Sequence, residues 1–108
     1  LLQHVHVTIQ NIQAQPDLNG CRGTIIAWND HKERYSVYVM DKSKVVNVRP
    51  SNIVLENGTV GMIVNLQAKP QLNGKYGTIM GWNRTSHRYQ VQLSASQTIS
   101  VKVENIRV

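Results

Sequence analysis

Apolar and polar residues alternate along much of the chain with a period of two. The alternation is clearest over residues 35–39 and again over residues 89–93. Successive side chains of a β-strand point to opposite faces, so this period indicates strands with one buried face. Branched residues dominate the apolar runs, and no window keeps a helical period. The pattern therefore predicts an all-β fold.

The pattern predicts five short strands in each half of the chain. They are residues 5–9, 23–29, 35–40, 45–49 and 53–55 in the first half, and 59–63, 77–83, 89–94, 98–102 and 106–108 in the second. A long loop through Pro16 or Pro70 follows the first strand of each half. A tight turn over residues 50–52 or 103–105 precedes each last strand.

The two halves are copies of one another. Residues 11–29 return with few changes as residues 65–83. Self-similarity on this scale predicts two units of one fold, residues 1–56 and 57–108. Units of this size have small cores, and the short join at residues 56–58 leaves no room for a free linker. We therefore expect the two units to pack together.

Two pairs of glycines recur at matching positions. Gly20 and Gly74 each follow an asparagine at the end of the long loop, where glycine supplies a positive φ without strain. Gly23 and Gly77 lie three residues further on. A glycine there predicts a bulge or a close approach of the backbone.

These motifs are similar to those of a known module. The run Leu-Asn-Gly-x-x-Gly-Thr-Ile-x-x-Trp, followed by Arg-Tyr-x-Val, occurs in both units. It resembles the SH3-like repeat found in eukaryotic multidomain proteins beside ankyrin repeats, MYND fingers and ubiquitin-related modules. The resemblance implies two tandem SH3-like small β-barrels of about five strands each, packed together. A looser resemblance is to KOW-type motifs of ribosomal and transcription-elongation proteins, which contact RNA or protein.

The aromatic residues divide into three groups. Trp28 and Trp82 occupy matching positions and form either an aromatic wall for a ligand or a corner that shields the core. Tyr35 and Tyr89 alternate with core valines, so they are predicted to be buried. Tyr38 has the opposite strand parity and is glutamine in the second copy. We expect Tyr38 to face solvent.

The sequence favours a non-enzymatic module that binds another protein or peptide as part of a larger protein. Small barrels present variable loops on a rigid frame, and the hairpin loops at residues 29–33 and 83–87 are such loops. The predicted partner-binding residues are Tyr38, Asn29, His31, Arg84, His87, Trp28 and Trp82.

The net positive charge is larger in the second half, because the basic residues divide evenly and the acidic ones lie mostly in the first half. The chain carries +6 overall, with +2 before Glu56 and +5 after it. A positive unit attracts phosphates or an acidic protein surface. The alternative function is therefore RNA or DNA backbone binding by the second unit, through Lys75, Arg84 and Lys102.

No catalytic, metal or cofactor site is predicted. His4 and His6 share a strand face, but zinc takes four ligands and the single Cys21 does not complete the set. That single cysteine favours a reducing, intracellular compartment, either cytoplasm or nucleus. No apolar stretch approaches the roughly 18 residues that a membrane helix needs. The chain starts at Leu1, so we expect it to be a fragment of a longer protein.

The predicted packing of the two units has a direct test. We expect the whole chain to unfold in one transition, because each unit alone has a marginal core. Residues 1–56 and 57–108, expressed separately, should melt well below the whole chain when unfolding is followed by circular dichroism. Two halves that fold stably and do not associate would make the units independent.

Overall fold

The chain divides into two compact units, Leu1–Glu56 (unit 1) and Asn57–Val108 (unit 2). The computed structural model describes residues 5–108. The strands of unit 1 are β1 (His6–Ile9), β2 (Arg22–Asn29), β3 (Arg34–Val39), β4 (Lys44–Val48) and β5 (Ile53–Leu55). Those of unit 2 are β6 (Val60–Ile63), β7 (Tyr76–Asn83), β8 (Arg88–Ser94), β9 (Gln97–Lys102) and β10 (Ile106–Arg107).

The all-β prediction is confirmed, since the described residues form strands and short 3₁₀ turns without an α-helix. Every predicted strand end lies within one residue of the observed end. The 3₁₀ turns are Pro16–Leu18, Met40–Lys42 and Pro50–Asn52 in unit 1, and Pro70–Leu72 and Val103–Asn105 in unit 2.

Each unit is one antiparallel five-stranded sheet. The strand order is β4-β3-β2-β1-β5 in unit 1 and β9-β8-β7-β6-β10 in unit 2. The sheets are open, so β4 and β5 are edge strands of unit 1. The register shifts between Ile25 and Ala27 in unit 1 and between Ile79 and Gly81 in unit 2. Such a bulge bends the strand and increases its twist.

The core of each unit is a layer of branched side chains around one tyrosine. Tyr35 and Tyr89 are 2% and 1% exposed, which confirms their predicted burial. No polar or charged residue is buried among residues 5–108. The other buried apolar residues include Val7, Ile9, Leu18, Ile25, Val37, Val39, Val48, Ile53 and Leu55 in unit 1, and Ile63, Leu72, Ile79, Val91, Val101 and Ile106 in unit 2.

Gly23 and Gly77 allow β2 and β7 to approach their neighbours closely. A Cβ atom at Gly23 would clash with Val37 and lie 3.1 Å from the carbonyl oxygen of Tyr38. A Cβ atom at Gly77 would meet Val91 in the same way. The predicted close approach is therefore confirmed, and the bulge lies further along the same strand.

The loop between β1 and β2, residues 10–21, ends in a type II turn. Asn19 is extended, with φ −64° and ψ 133°, and Gly20 follows with φ 85°. The N–H of Cys21 donates to the carbonyl of Leu18 at 3.1 Å and closes the turn. Gly74 has φ 90° at the matching place in unit 2. The positive φ predicted for both glycines is confirmed, while Asn19 itself has an ordinary φ.

The side chain of Asn19 closes this long loop. Its Oδ1 accepts a hydrogen bond from the N–H of Ile12 at 2.8 Å, and its Nδ2 donates to the carbonyl of Ile12 at 3.1 Å. Asn73 makes the same pair of bonds to Leu66, at 2.8 and 3.0 Å. One amide therefore satisfies both backbone groups of a residue seven positions earlier.

A second asparagine anchors the start of the loop. The Nδ2 of Asn52 donates to the carbonyls of Gln10 and Asn11 at 3.3 and 3.2 Å. Asn105 bonds Val64 and Asn65 in unit 2 at 3.1 and 3.2 Å. Because Asn52 ends the 3₁₀ turn before β5, it ties the start of the loop to the strand that pairs with β1.

The turn glycines have a matched control in the same unit. Gly74→Ala should lower the free energy of unfolding by about 1 kcal/mol, because an L-residue strains at positive φ. Gly81→Ala should leave it unchanged or raise it, since nothing lies within 4 Å of the added Cβ and unit 1 has Ala27 there. Urea unfolding measures both variants. Equal urea midpoints for Gly74→Ala and Gly81→Ala would contradict the type II turn assigned at Gly74.

Candidate functional site

A row of side chains crosses the outward face of the unit 1 sheet. In the strand register, Val45 pairs with Tyr38, Tyr38 with Thr24, and Thr24 with His6. We call these four residues the outer row. Tyr38 is 37% exposed and Val45 50%, so the solvent-facing position predicted for Tyr38 is confirmed. The half of the row on β3 and β4 therefore presents apolar surface.

Unit 2 has a matching row of paired residues with different chemistry. Its row runs from Thr98 through Gln92 and Thr78 to Val60. Threonine and glutamine thus replace Val45 and Tyr38 while the two positions stay paired, and the register shifts just beyond them, between Gln92 and Ser94. The sheet does not need apolar side chains at these two places, which makes the apolar half of the outer row a feature of unit 1 alone.

A shallow groove of about 460 Å³ lies beside Tyr38. Its lining includes His6, Arg22, Met40 and Asp41. Arg22 forms an exposed ion pair with Glu56 at 3.2 Å. The groove therefore combines the rings of Tyr38 and His6 and the flexible thioether of Met40 with charges of both signs.

Unit 2 exposes a different apolar pair, which sequence reasoning missed. Tyr76 is 67% exposed and Val60 58%, and they lie on the paired strands β7 and β6. Unit 1 has Arg22 and His6 at the matching positions. Comparison of the two copies position by position is the signal that would have shown this exchange.

Both tryptophans are half-buried and pack on the core tyrosines. The ring centroids of Trp28 and Tyr35 are 4.6 Å apart, and those of Trp82 and Tyr89 are also 4.6 Å apart. This packing gives each tryptophan a structural role. The unburied side of the ring remains available, and in unit 2 His87 lies edge-on to Trp82 at 6.0 Å.

The hairpin loops are held by their first asparagine. Asn29 accepts a hydrogen bond from the N–H of Lys32 at 2.9 Å. Asn83 accepts from the N–H groups of Thr85 and Ser86 at 2.9 and 3.0 Å. Asn29 is therefore engaged in forming its own loop.

The histidines predicted in these loops lie on the surface. His31 and His87 are exposed, and Arg84 is exposed in the same loop as His87. In unit 1 the indole Nε1 of Trp28 donates to Asp30 at 3.2 Å. Arg84 holds the position of Asp30 in unit 2, so the two hairpins present opposite charges beside their tryptophans.

The three basic residues of the nucleic-acid hypothesis do not lie together. Lys75 comes just before β7, and Arg84 comes just after its other end. Lys102, at the end of β9, pairs with Arg88, which begins β8 after the hairpin. Arg84, Arg88 and Lys102 therefore share one end of the sheet, and Lys75 lies at the opposite end of β7.

A larger groove in unit 1 lies between the β1–β2 loop and the edge strand β4, and we call it the loop groove. Its volume is about 830 Å³, and Leu18, Val46 and Val48 are among its lining residues. Gln13, Asn47 and Arg49 add polar groups. Sequence reasoning missed this groove because the loop and β4 are about 30 residues apart in the chain.

No metal or membrane element is found in the described part of the chain. Residues 5–108 contain no cluster of three or more metal-ligating side chains, and His4 lies outside them. No helix among these residues is long and apolar enough to cross a bilayer. His6 instead lies 3.4 Å from the hydroxyl of Thr24 within the outer row.

Comparison with known proteins adds no assignment. A scan against protein-family models finds no match, and a search of curated proteins finds no significant match. The resemblance to SH3-like repeats thus rests on the motifs and on the order of strands and turns.

Proposed function

We propose that the chain is a tandem SH3-like module that binds another protein and positions a larger intracellular protein. The SH3-like assignment is supported by five strands per unit, a long first loop and a 3₁₀ turn before the last strand. It is also supported by the pairing of β1 with both β2 and β5. Fold alone does not define a ligand, so the binding function needs a site.

The apolar half of the outer row is the observation that carries the proposal. Tyr38 and Val45 are side by side on neighbouring strands, and Ile26 on β2 is 52% exposed. Unit 2 shows that this register is compatible with Gln92 and Thr98. An exposed tyrosine with aliphatic neighbours on a rigid sheet is the type of surface that proteins use as an anchor for a partner.

Exchange of side chains between the two units tests this site. Tyr38→Gln with Val45→Thr gives unit 1 the residues of unit 2 and should leave the melting temperature unchanged. Proteins that the wild-type chain retains from an extract of the source cells should not be retained by this double variant. Its affinity for them should be at least about tenfold weaker, because anchor residues dominate binding energy. Gln92→Tyr with Thr98→Val is the matched control and should keep them. Identical retention by all three chains would contradict the proposal.

The second candidate is nucleic-acid binding at the hairpin end of unit 2. It is favoured by the grouping of Arg84, Arg88 and Lys102 near the half-buried ring of Trp82. Cations there would contact phosphates, and the exposed side of the indole would stack on a base. Unit 1 lacks this combination, because Asp30 replaces Arg84.

Salt dependence separates the two candidates. For single-stranded RNA or duplex DNA, Arg84→Asp and Lys102→Gln should each flatten the slope of log affinity against log salt by about one unit. Lys75→Gln should leave the slope unchanged because it lies at the other end of β7. If neither nucleic acid binds at low salt, the second candidate is wrong, and the positive surface serves an acidic protein or is simply solvated.

A further inference from the structure

The loop groove has an unfilled strand position along one wall. β4 is an edge strand that pairs only with β3, so every second residue directs its N–H and C=O away from the sheet. Among residues 5–108, no backbone hydrogen bond joins residues 45–48 to the β1–β2 loop. The edge of β4 therefore offers hydrogen-bonding groups to a further strand.

The opposite wall of the groove is rigid. The β1–β2 loop is closed by Asn19 on Ile12 and anchored by Asn52 on Gln10 and Asn11. A side-chain hydrogen bond also joins the loop to β4, where Nζ of Lys44 donates to Oε1 of Gln15 at 3.3 Å. This contact marks one end of the groove, and Arg49 lies at the other end of β4.

The lining of the groove suits an extended peptide. Buried Leu18 and Val48 and half-buried Ile12 and Val46 form an apolar floor. The asparagine and glutamine side chains around them provide donors and acceptors. Polar and apolar groups thus contribute about equally to the lining, which suits a peptide whose backbone needs hydrogen bonds and whose side chains need apolar contacts.

The charge of the groove selects the ligand. Arg49 is exposed and is the one charged residue among those that line the groove. In unit 2 the matching arginine position is Lys102, but Glu104 holds the place of Ser51. Unit 1 therefore presents an uncompensated cation at the end of its edge strand, and a carboxylate is the complementary group.

We propose that unit 1 binds an extended acidic peptide as an added strand on β4, inside the loop groove, with a carboxylate on Arg49. Residues 46–49 line the groove and span about 13 Å at the rise of a strand, so about four peptide residues fill the site. Backbone bonds to β4 supply affinity, and the apolar floor and Arg49 supply specificity. The inference rests on the proposed protein-binding function only in taking a peptide as ligand, because the groove and the outer row share no lining residue.

A library of random eight-residue peptides, displayed on phage and selected on the 108-residue chain, provides the probe. The best binder is synthesised with a fluorescent label and titrated by anisotropy. Binders should be rich in aspartate or glutamate and lack proline at their centre. Arg49→Gln should lower the affinity of the chain for the selected peptide about tenfold. Replacement of the peptide's carboxylate by an amide should have the same effect. Lys102→Gln, the matching change in unit 2, should have no effect.

Backbone methylation tests the added strand directly. Only alternate N–H groups of an added strand face β4. The peptide N-methylated at one alternate set of residues should lose binding, and the peptide methylated at the other set should keep it. Equal effects of the two sets, or no effect, would show that the peptide is not an added strand.

The remaining variants separate this inference from the proposed function. Tyr38→Gln should leave the affinity of the peptide unchanged. A peptide lost with Tyr38→Gln but not with Arg49→Gln would overturn the loop groove and support the outer row. A library that yields no binder, or only binders insensitive to Arg49→Gln, would overturn the inference while leaving the outer row to its own exchange test.

Discussion

The architecture of both units depends on two asparagine amides that hold a long loop against its own sheet. A loop of this length has few apolar contacts of its own, so its backbone groups need other partners. The side chain of Asn19 bonds both the N–H and the carbonyl of Ile12. The side chain of Asn52, in the last 3₁₀ turn of unit 1, bonds the carbonyls of the two residues that begin the loop. Unit 2 repeats both sets of bonds. A fixed loop creates a groove with two rigid walls, and that groove is present before any ligand arrives.

The internal duplication separates what the fold requires from what a ligand requires. The asparagine hydrogen bonds to the loop, the turn glycines and the tryptophan–tyrosine pairs occur in both units, so they belong to the fold. The outer row, the groove cation and the hairpin charge differ between the copies, although the residues of the row pair in the same way in both units. These differences lie on exposed positions, where substitution costs little stability. The two units therefore have the same fold and different exposed surfaces.

The strands were predictable because the pattern that indicates a strand lies within a few consecutive residues. The binding surfaces were not predictable, because they are formed by residues far apart in the sequence. Alternation, runs of branched residues and turn signals together located every strand, and the need for positive φ identified Gly20. The Asn-Gly pair was understood only in part: Asn19 is kept for its amide, whose partner lies seven residues away. The predicted strand 77–83 already separated Lys75 from Arg84, but motif spacing could not show that Lys102 pairs with Arg88, or that Arg49 and Gln15 line one groove.

The hydrogen bonds of Asn19 to Ile12 also bear on the chemical ageing of the chain. Asparagine followed by glycine deamidates readily, because the glycine nitrogen meets little obstruction when it attacks the side-chain carbonyl. Here the nitrogens of Gly20 and Gly74 donate to Ile9 and Ile63 at 2.8 Å, which holds them in place. Deamidation of Asn19 would nonetheless set a carboxylate oxygen against the carbonyl of Ile12, where the amide now donates. Exchange of the amide nitrogen for oxygen would remove that bond, so the residue that closes the loop is also the point at which deamidation would loosen it.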